Sequence, residues 1–246
     1  MNIKIGRRSL KFEIIPTIVY LCLLSLLLAL GTWQLRRSDE KSAFIKLEEQ
    51  RQASGTLQLS ASVEDDLDAL KYRHATVTGH YDQAHQFLID NQISDGRPGY
   101  YVLTPFILPE GTKAVLVNRG WVPLNSKDRS VLPDVSVDNQ QTTIAGRINS
   151  FPSVGIKLAG AEIPTDGWPS VVQWVDSAIL AKKLSYPLFP FQIELDKDLP
   201  DGFKRDWRTA TVMSPEQHIG YAVQWFGLAL TLTLIFIWYS IKKDNE

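Results

Sequence analysis

The stretch HIGYAVQWFGLALTLTLIFIWY, residues 218–239, decides how the chain is organised. The 23 positions from 219 to 241 contain no charged side chain. At ~1.5 Å rise per residue, a helix of this length is roughly 34 Å long, enough to cross a bilayer core of about 30 Å. Trp225 lies near one end and Trp238 near the other, where aromatic rings prefer the headgroup level. The stretch therefore predicts a transmembrane helix with a polar residue, His218, at its entrance.

The side chains of this predicted helix fall on two opposite stripes at about 100° of rotation per residue. The histidine stripe holds His218, Tyr221, Ala222, Trp225, Ala229 and Phe236, and the glycine stripe holds Gly220, Gln224, Gly227 and Thr231. Helices in lipid associate through small residues and interhelical hydrogen bonds, so we expect the glycine stripe to pack against another span. The histidine stripe is then left free. Two interpretations of His218 stay open: an interfacial histidine beside aromatic anchors, or a ligand-binding residue.

A second apolar run precedes the central part of the chain. Residues 14–31 form 18 uncharged positions behind four basic residues and no acidic one within residues 1–11. A cleaved signal peptide is one interpretation, because small residues end the run at a cleavage spacing. A retained span is favoured by the length and by residues 33–37, which are typical of an interfacial anchor. We predict a transmembrane helix over residues 12–35. This helix has its own stripe of small residues, Cys22, Ser25 and Ala29, which we expect to pack against the glycine stripe.

The basic residues also predict the orientation of the two spans. Cytoplasmic segments carry an excess of Lys and Arg, which assigns the tail of residues 1–11 to the cytoplasm. The second span, residues 218–241, then returns the chain, so that the tail of residues 242–246 with its two lysines is cytoplasmic as well. The central domain, residues 36–217, is expected to be exported to the periplasm.

Composition limits the function classes open to the central domain. Residues 36–217 hold 20 Lys and Arg against 24 Asp and Glu, a net charge of −4 without a basic cluster. This balance argues against nucleic acid as a partner. The only cysteine, Cys22, lies in the first apolar run. Disulfides within the domain, thiol redox chemistry and cysteine-ligated metal sites are therefore excluded.

In the central domain the hydrophobic period changes to two, which is typical of β-strands. We predict seven strands: residues 72–81, 85–90, 99–108, 113–121, 142–149, 171–175 and 191–195. Helices are predicted over residues 39–53, as a stalk, over 62–70 with Ser62 as the N-cap, and over 177–184. Turn residues such as Gly111 separate the strands. We therefore expect a membrane protein in which two transmembrane helices flank an exported α+β domain, its mainly antiparallel sheet barrel-like or strongly curved.

The usual catalytic constellations are missing from the sequence. There is no Gly-rich phosphate loop, no G-x-S-x-G elbow, no H-E-x-x-H and no C-x-x-C. His74 and His80 share a strand face but lie roughly 20 Å apart at ~3.3 Å per residue, too far to ligate one metal. His85 could approach His80 across a hairpin, against the simpler interpretation of both as surface histidines. The sequence therefore predicts a protein that is not an enzyme.

The most distinctive stretch of the central domain is LVNRGWVP, residues 116–123. A structural interpretation makes it a strand that ends in a turn requiring Gly120 and Pro123, with Arg119 bridging to an acidic group. A functional interpretation uses the planar guanidinium of Arg119 to hold a carboxylate or propionate. The sequence leaves both open.

Four groups of motifs, in order, resemble those of one family. They are GTWQLRR at residues 31–37, Tyr72-Arg73 with VTGHY at residues 77–81, GYYVLTPF at residues 99–106 with LVNRGWVP, and HIGYAVQWFG at residues 218–227. From about residue 31 to residue 239 the chain resembles the surfeit locus protein family of cytochrome c oxidase assembly factors, the Surf/Shy group. One motif alone has little specificity, whereas four in order between two spans are specific.

The resemblance implies a non-enzymatic factor in maturation of the heme-copper oxidase catalytic subunit, at the stage where heme a enters. Members from some bacteria are held to bind heme a through the histidine at the start of the second span, which is His218 here. Tyr221 and Trp225 follow one and two turns further on and would lie along the porphyrin. Arg37, with Arg36 at the same depth, would pair with its propionates. The expected site is therefore His218 as a hypothetical ligand of the heme iron, surrounded by these side chains.

The resemblance also implies partners and a location. The partners are the heme-copper oxidase catalytic subunit, membrane lipid and, as a further candidate, heme a synthase. Eleven residues before the first span are too few for a mitochondrial presequence, which predicts a multi-pass protein of the bacterial inner membrane. One alternative stays open: a purely structural membrane chaperone that stabilises the oxidase subunit without binding heme.

Overall fold

The computed structural model describes residues 2–5, 8–11, 13–109, 113–138, 140–152, 158–207 and 213–243. The predicted connection at Gly111 lies outside these residues. The chain divides into two compact units. We call them the helical unit, Met1–Leu47 with Thr209–Glu246, and the sheet unit, Glu48–Arg208.

The described part of the chain contains eleven strands and four helices. They are β1 (Asn2–Ile5), β2 (Arg8–Lys11), α1 (Ile14–Ala53), β3 (Leu57–Gln58), α2 (Leu67–Leu70), β4 (His74–Tyr81), β5 (Phe87–Ser94), β6 (Arg97–Ile107), β7 (Ala114–Pro123), β8 (Thr142–Asn149), β9 (Ser170–Val172), α3 (Ser177–Leu184), β10 (Leu188–Leu195), α4 (Pro215–Ser240) and β11 (Ile241–Lys243).

The helices α1 and α4 are long and apolar enough to cross a membrane. They flank the β-rich part of the chain, as the sequence predicts. The span predicted for residues 12–35 and the stalk predicted for residues 39–53 form one continuous helix, α1. At the two chain ends, β2 pairs antiparallel with both β1 and β11, which the sequence analysis did not predict. The backbones of the two tails therefore lie side by side.

The sheet unit is built on eight strands in the order β3-β4-β8-β10-β7-β6-β5-β9. A further antiparallel pairing joins β4 to β6, with His80 opposite Ile107 and Tyr81 opposite Phe106. This pairing closes β4, β8, β10, β7 and β6 into a five-stranded barrel, which β5 and β9 extend on one side. The predicted mainly antiparallel, barrel-like sheet is confirmed, although three of the pairs, β3–β4, β5–β9 and β7–β10, are parallel.

Strict alternation along β4 sends every second side chain into the barrel. The barrel interior is filled by large apolar side chains from facing strands, including Val77, Phe106, Val117, Ile148, Phe191 and Ile193. A second cluster lies where the apolar side of α3 covers the sheet, including Phe87, Leu103, Leu116, Leu180 and Leu184. These two clusters fix the strands that carry the polar residues described below.

The predicted strands are all present, some with shifted ends, and α3 has its predicted bounds. The predicted acidic helix is shorter, because it begins after Asp66. The Asp66 side chain accepts a hydrogen bond from the Ala69 N–H at 3.1 Å, so Asp66 is the N-cap. The prediction of Ser62 in that role is wrong: its hydroxyl lies 2.9 Å from that of Ser60 instead.

Candidate functional site

The start of α4 is fixed by a reciprocal capping arrangement. Ser214 Oγ accepts a hydrogen bond from the Gln217 backbone N–H at 3.3 Å, and Gln217 Oε1 accepts one from the Ser214 N–H at 2.9 Å. Pro215 occupies the first helical position, where no backbone N–H is required. The segment therefore begins the helix so that His218 lies at its first turn.

His218 lies between two helices rather than on a free face. It is 7% exposed, and its Nδ1 is 2.7 Å from Oε1 of Gln34 on α1, which is 9% exposed. One turn further along α1, the Ser38 hydroxyl donates to the backbone oxygen of Pro215 at 3.0 Å. The prediction that His218 faces away from the helix pair is wrong. A buried imidazole N–H requires an acceptor, and Gln34 on the neighbouring helix provides it.

The same face of α4 packs against α1 along its length. Ala222 and Ala229 are buried, and the ring of Phe236 stacks on Tyr20 with the centroids 4.1 Å apart. The Tyr20 hydroxyl also lies 3.2 Å from the hydroxyl of Thr233. The packing face is therefore centred on the histidine stripe, opposite to the predicted one.

Both stripes that were predicted to pack are exposed. They comprise Gly220, Gln224, Gly227 and Thr231 on α4, and Cys22, Ser25 and Ala29 on α1. A Cβ added at Gly220 or Gly227 would meet nothing within 4 Å, whereas one added at Gly31 would lie 2.7 Å from the ring of Phe226. The two helices do meet at a small residue, Gly31, and through an interhelical hydrogen bond, that between His218 and Gln34. Both lie on the face that carries His218 and not on the predicted glycine stripe.

Replacing Gly31 with alanine is therefore expected to weaken the helix pair by roughly 1–3 kcal/mol, the usual cost of overpacking. The new methyl group must displace the Phe226 ring, which packs against α1 at this point. Thermal unfolding of the full-length protein in detergent measures the loss. Gly227→Ala is the matched control, because its methyl group enters open space. Equal behaviour of the two variants would contradict the packing assigned to Gly31.

Tyr221, Trp225 and Arg37 were also predicted to surround a ligand. They differ in their exposure and in the contacts that they already make. Tyr221 is 46% exposed, and Trp225 is half-buried. Arg37 Nη1 lies 2.9 Å from Glu40 Oε2, and its guanidinium is 5.9 Å from the ring centroid of Trp33. The two aromatic side chains therefore expose ring surface, whereas the Arg37 charge already has a carboxylate partner.

Arg119 is a structural centre of the sheet unit and is 2% exposed. Its guanidinium donates to Gln86 Oε1 at 3.0 Å, Thr104 Oγ1 at 3.4 Å, and the backbone oxygens of Val135 at 2.7 Å, Ser136 at 3.1 Å and Asp201 at 2.6 Å. It also lies over the rings of Tyr81 and Phe203. Burial lowers the pKa of Arg119, and burial raises the pKa of Tyr81 to about 12.

All three guanidinium nitrogens of Arg119 donate hydrogen bonds within the sheet unit. The structural interpretation of Arg119 therefore holds, and not the one in which it binds a carboxylate or propionate. The prediction that Arg119 bridges to an acidic group is wrong, because the oxygens that accept its hydrogen bonds are neutral.

The strand that carries Arg119 does not end in the predicted turn. β7 continues to Pro123, and Gly120 lies inside it with a φ of 113°. A Cβ at Gly120 would be 2.7 Å from the backbone oxygen of Lys204, which itself accepts from the Trp121 N–H at 2.8 Å. Glycine is required at this position because another chain segment passes directly over the strand.

Two histidines of the sheet unit are paired with aspartates. His74 Nε2 lies 2.8 Å from Asp196 Oδ2, and His85 Nδ1 lies 2.8 Å from Asp82 Oδ2. Within the described ranges, no three His, Cys, Asp or Glu side chains are grouped as metal ligands. His85, considered from the sequence as a metal-binding partner of His80, contacts Asp82.

Comparison with known proteins identifies the family. The SURF1 family model matches residues 21–230. The chain belongs to the SURF1 family. It is similar to the SURF1-like protein of Rickettsia felis, at 27% identity over 240 residues covering 90% of this chain and 95% of that protein. Surfeit locus protein 1 of Arabidopsis thaliana is 24% identical over 84% of this chain and 72% of its own.

A third relative is the cytochrome oxidase assembly protein SHY1 of Saccharomyces cerevisiae, 31% identical over 106 residues, which are 43% of this chain and 26% of the yeast protein. The family resemblance drawn from the four motif groups is thus confirmed. Relatives in Rickettsia, together with two span-type helices, indicate a bacterial membrane protein.

The sequence analysis of this SURF1 family member missed the role of Gln34 and Ser38. The sequence does contain a signal for the role of Gln34. Gln34 follows the first apolar run closely, and His218 immediately precedes the second. Two antiparallel spans bring such positions to the same depth, where a buried polar group on one helix requires a partner on the other.

Proposed function

We propose that this SURF1 family member is a non-enzymatic assembly factor for cytochrome c oxidase. The observation that carries the proposal is the family match over residues 21–230. The name of the yeast relative, cytochrome oxidase assembly protein, supports cytochrome oxidase as the complex that this protein helps to assemble. Two span-type helices joined to a barrel suit a protein that holds a membrane partner during maturation. The sequence supports a role without catalysis, because it provides no nucleophile with a base and an orienting group.

Within oxidase assembly, we assign to this protein the delivery of heme a to the oxidase catalytic subunit, with His218 as the ligand of the heme iron. The donor chemistry fits, because the contact to Gln34 uses Nδ1 and leaves Nε2 as the nitrogen that can bind a metal. The exposed ring surface of Tyr221 and Trp225 suits contact with a porphyrin. Arg37 would hold a propionate in competition with Glu40. Bound heme would supply an iron centre for coordination, and the residues of this chain bind and orient that cargo.

The proposed location is the bacterial inner membrane, with residues 36–217 in the periplasm and both tails in the cytoplasm. The basic residues of the N-terminal tail support this orientation. The pairing of β2 with β11 supports the placement of both tails on the same side of the membrane. The proposed partners are the heme-copper oxidase catalytic subunit, heme a synthase and the surrounding lipid. Alkaline phosphatase fused after Asp206 would be active in this orientation and inactive in the reverse one.

A second candidate function is that of a structural chaperone that contacts the oxidase subunit without binding heme. The observation that favours it is the exposed glycine stripe. Gly220 and Gly227 leave open space on a span-type helix, and the carboxamide of Gln224 is exposed beside them. Surfaces of this kind allow close approach and hydrogen bonding of another transmembrane helix.

Replacing His218 with glutamine tests the heme proposal. A glutamine at this position retains a side-chain amide for Gln34 but lacks the imidazole, so the helix pair should remain while the iron ligand is lost. We expect at least a tenfold decrease in heme per protein, measured by Soret absorbance after purification from cells that synthesise heme a. His80→Gln is the matched control, because His80 lies on the outer face of β4.

The same variants separate the two candidate functions in cells. Loss of oxidase activity with His218→Gln and normal activity with His80→Gln supports heme delivery. Full heme occupancy in His218→Gln would show that the ligand assignment is wrong. Full oxidase assembly without bound heme would favour the contact chaperone. Normal oxidase levels after deletion of the whole gene would refute a role in assembly.

A further inference from the structure

The hydrogen bond between Gln34 and His218 is buried at both ends and joins two helices that are far apart in sequence. The two residues are 9% and 7% exposed, and the atoms that meet are Gln34 Oε1 and His218 Nδ1, 2.7 Å apart. Ser38 reinforces the contact one turn away by donating to the Pro215 backbone oxygen at 3.0 Å. The capped start of α4 and this second bond together fix the position from which the imidazole projects.

This contact selects one form of the imidazole ring. A carboxamide oxygen can only accept a hydrogen bond, so Nδ1 must carry the proton. In the neutral ring the lone pair is then on Nε2, for which the described residues provide no hydrogen bond. Free histidine prefers the opposite tautomer, with the proton on Nε2. The contact with Gln34 therefore favours the less common form at this position.

We propose that Gln34 is a positioning residue that holds His218 in the Nδ1–H tautomer, so that Nε2 is presented as the ligand atom. The role in ligand presentation rests on the proposed heme function. Histidines that bind metals generally donate their other N–H to a neighbouring acceptor, which fixes the ring and raises its basicity as a ligand.

Nitrogen NMR of the full-length protein in detergent, with ¹⁵N-labelled histidine, tests the tautomer directly. The chain has only four histidines, and the signal of His218 is assigned by its absence from His218→Gln. We expect a protonated, pyrrole-type Nδ1 and an unprotonated, pyridine-type Nε2. Gln34→Met keeps the side-chain length and removes the acceptor, so the population should shift toward Nε2–H. Gln34→Glu restores an acceptor oxygen and should restore the Nδ1–H form.

Gln224→Met is the matched control, because it removes an exposed glutamine from α4 and should leave the tautomer unchanged. A wild-type ring protonated on Nε2, or an unchanged ring in Gln34→Met, would overturn the proposal. A loss of folding alone cannot reproduce the expected pattern, because Gln34→Glu must recover what Gln34→Met loses.

Heme binding provides the second measurement. Loss of a partner of this kind typically weakens metal affinity by about 10–100-fold, so we expect that decrease for Gln34→Met and recovery in Gln34→Glu. The two proposals fail in different ways. A correct tautomer in a wild-type protein that binds no heme would refute heme delivery and retain the assignment of Gln34. Heme bound equally well by wild type and Gln34→Met would refute the positioning role and retain heme delivery.

Discussion

Replacing Arg119 with methionine is expected to destabilise the sheet unit by roughly 3–5 kcal/mol, because several acceptors lose their donor together and each buried acceptor left unsatisfied costs about 1–3 kcal/mol. Methionine fills much of the same space but donates no hydrogen bond. The backbone oxygens of Val135, Ser136 and Asp201 then lose a charged donor, and that of Val135 is buried. The rings of Tyr81 and Phe203 also lose the cation that lies over them.

Thermal or urea unfolding of the full-length protein, followed by circular dichroism in the β region, measures this loss. Arg97→Met is the matched control, since Arg97 is exposed at the start of β6 and surface substitutions usually change stability by less than about 0.5 kcal/mol. If the two variants unfolded at similar midpoints, Arg119 would not be the structural centre described above, and a role in binding would have to be reconsidered.

The strands of the sheet unit were predictable because their signal is local. Alternation of apolar side chains over residues 74–81 is visible in the sequence and matches the burial pattern of β4. The barrel closure was predictable only in outline. The pairing of Tyr81 with Phe106, and the parallel pairing of β7 with β10, join segments that no local pattern connects. Such pairings depend on how the whole chain fits together, which periodicity does not report.

The face on which the two long helices meet was predicted wrongly for an identifiable reason. The rule that small residues mark helix interfaces ranked Gly220 and Gly227 above His218. A buried hydrogen bond between His218 and Gln34 outweighs two open glycine positions, because an unpaired polar group in an apolar environment costs several kcal/mol (roughly 2–7). Counting polar residues at matched depths on both spans would have indicated the correct face.

The family and the position of the candidate ligand could both be predicted from the sequence, but the way that ligand is held could not. The four motif groups lie within the described residues, and His218 lies in the first turn of α4, near the start of the second span as expected. Its partner Gln34 is part of the first motif group, and with Trp33 and Arg37 it has the pattern of an interfacial anchor, which does not indicate a contact with the second helix. Only the packed helices show that this glutamine reaches the imidazole.

Replacing Arg147 with methionine is the second large expected effect, also roughly 3–5 kcal/mol, because it leaves two buried carboxylates without their cation. The Arg147 guanidinium contacts Glu48, and it donates to Glu194 from Nε at 2.8 Å and from Nη2 at 2.7 Å. The three side chains are 13%, 7% and 9% exposed. Asn149 also donates to Glu194 at 2.9 Å, so this carboxylate is held in place after the arginine is lost.

A double-mutant cycle with Glu48→Gln separates the charge effect from the packing effect. Glu48→Gln alone should cost much less, because Arg147 retains both contacts to Glu194 and a glutamine oxygen still accepts from it. The double variant should be more stable than Arg147→Met, because only one buried carboxylate, that of Glu194, then remains beside the lost cation. Unfolding midpoints of the four proteins measure this non-additivity. If the two single changes simply added, Arg147 would stabilise the sheet unit through its contact with the Tyr72 ring, 6.0 Å away, rather than by balancing the two carboxylates.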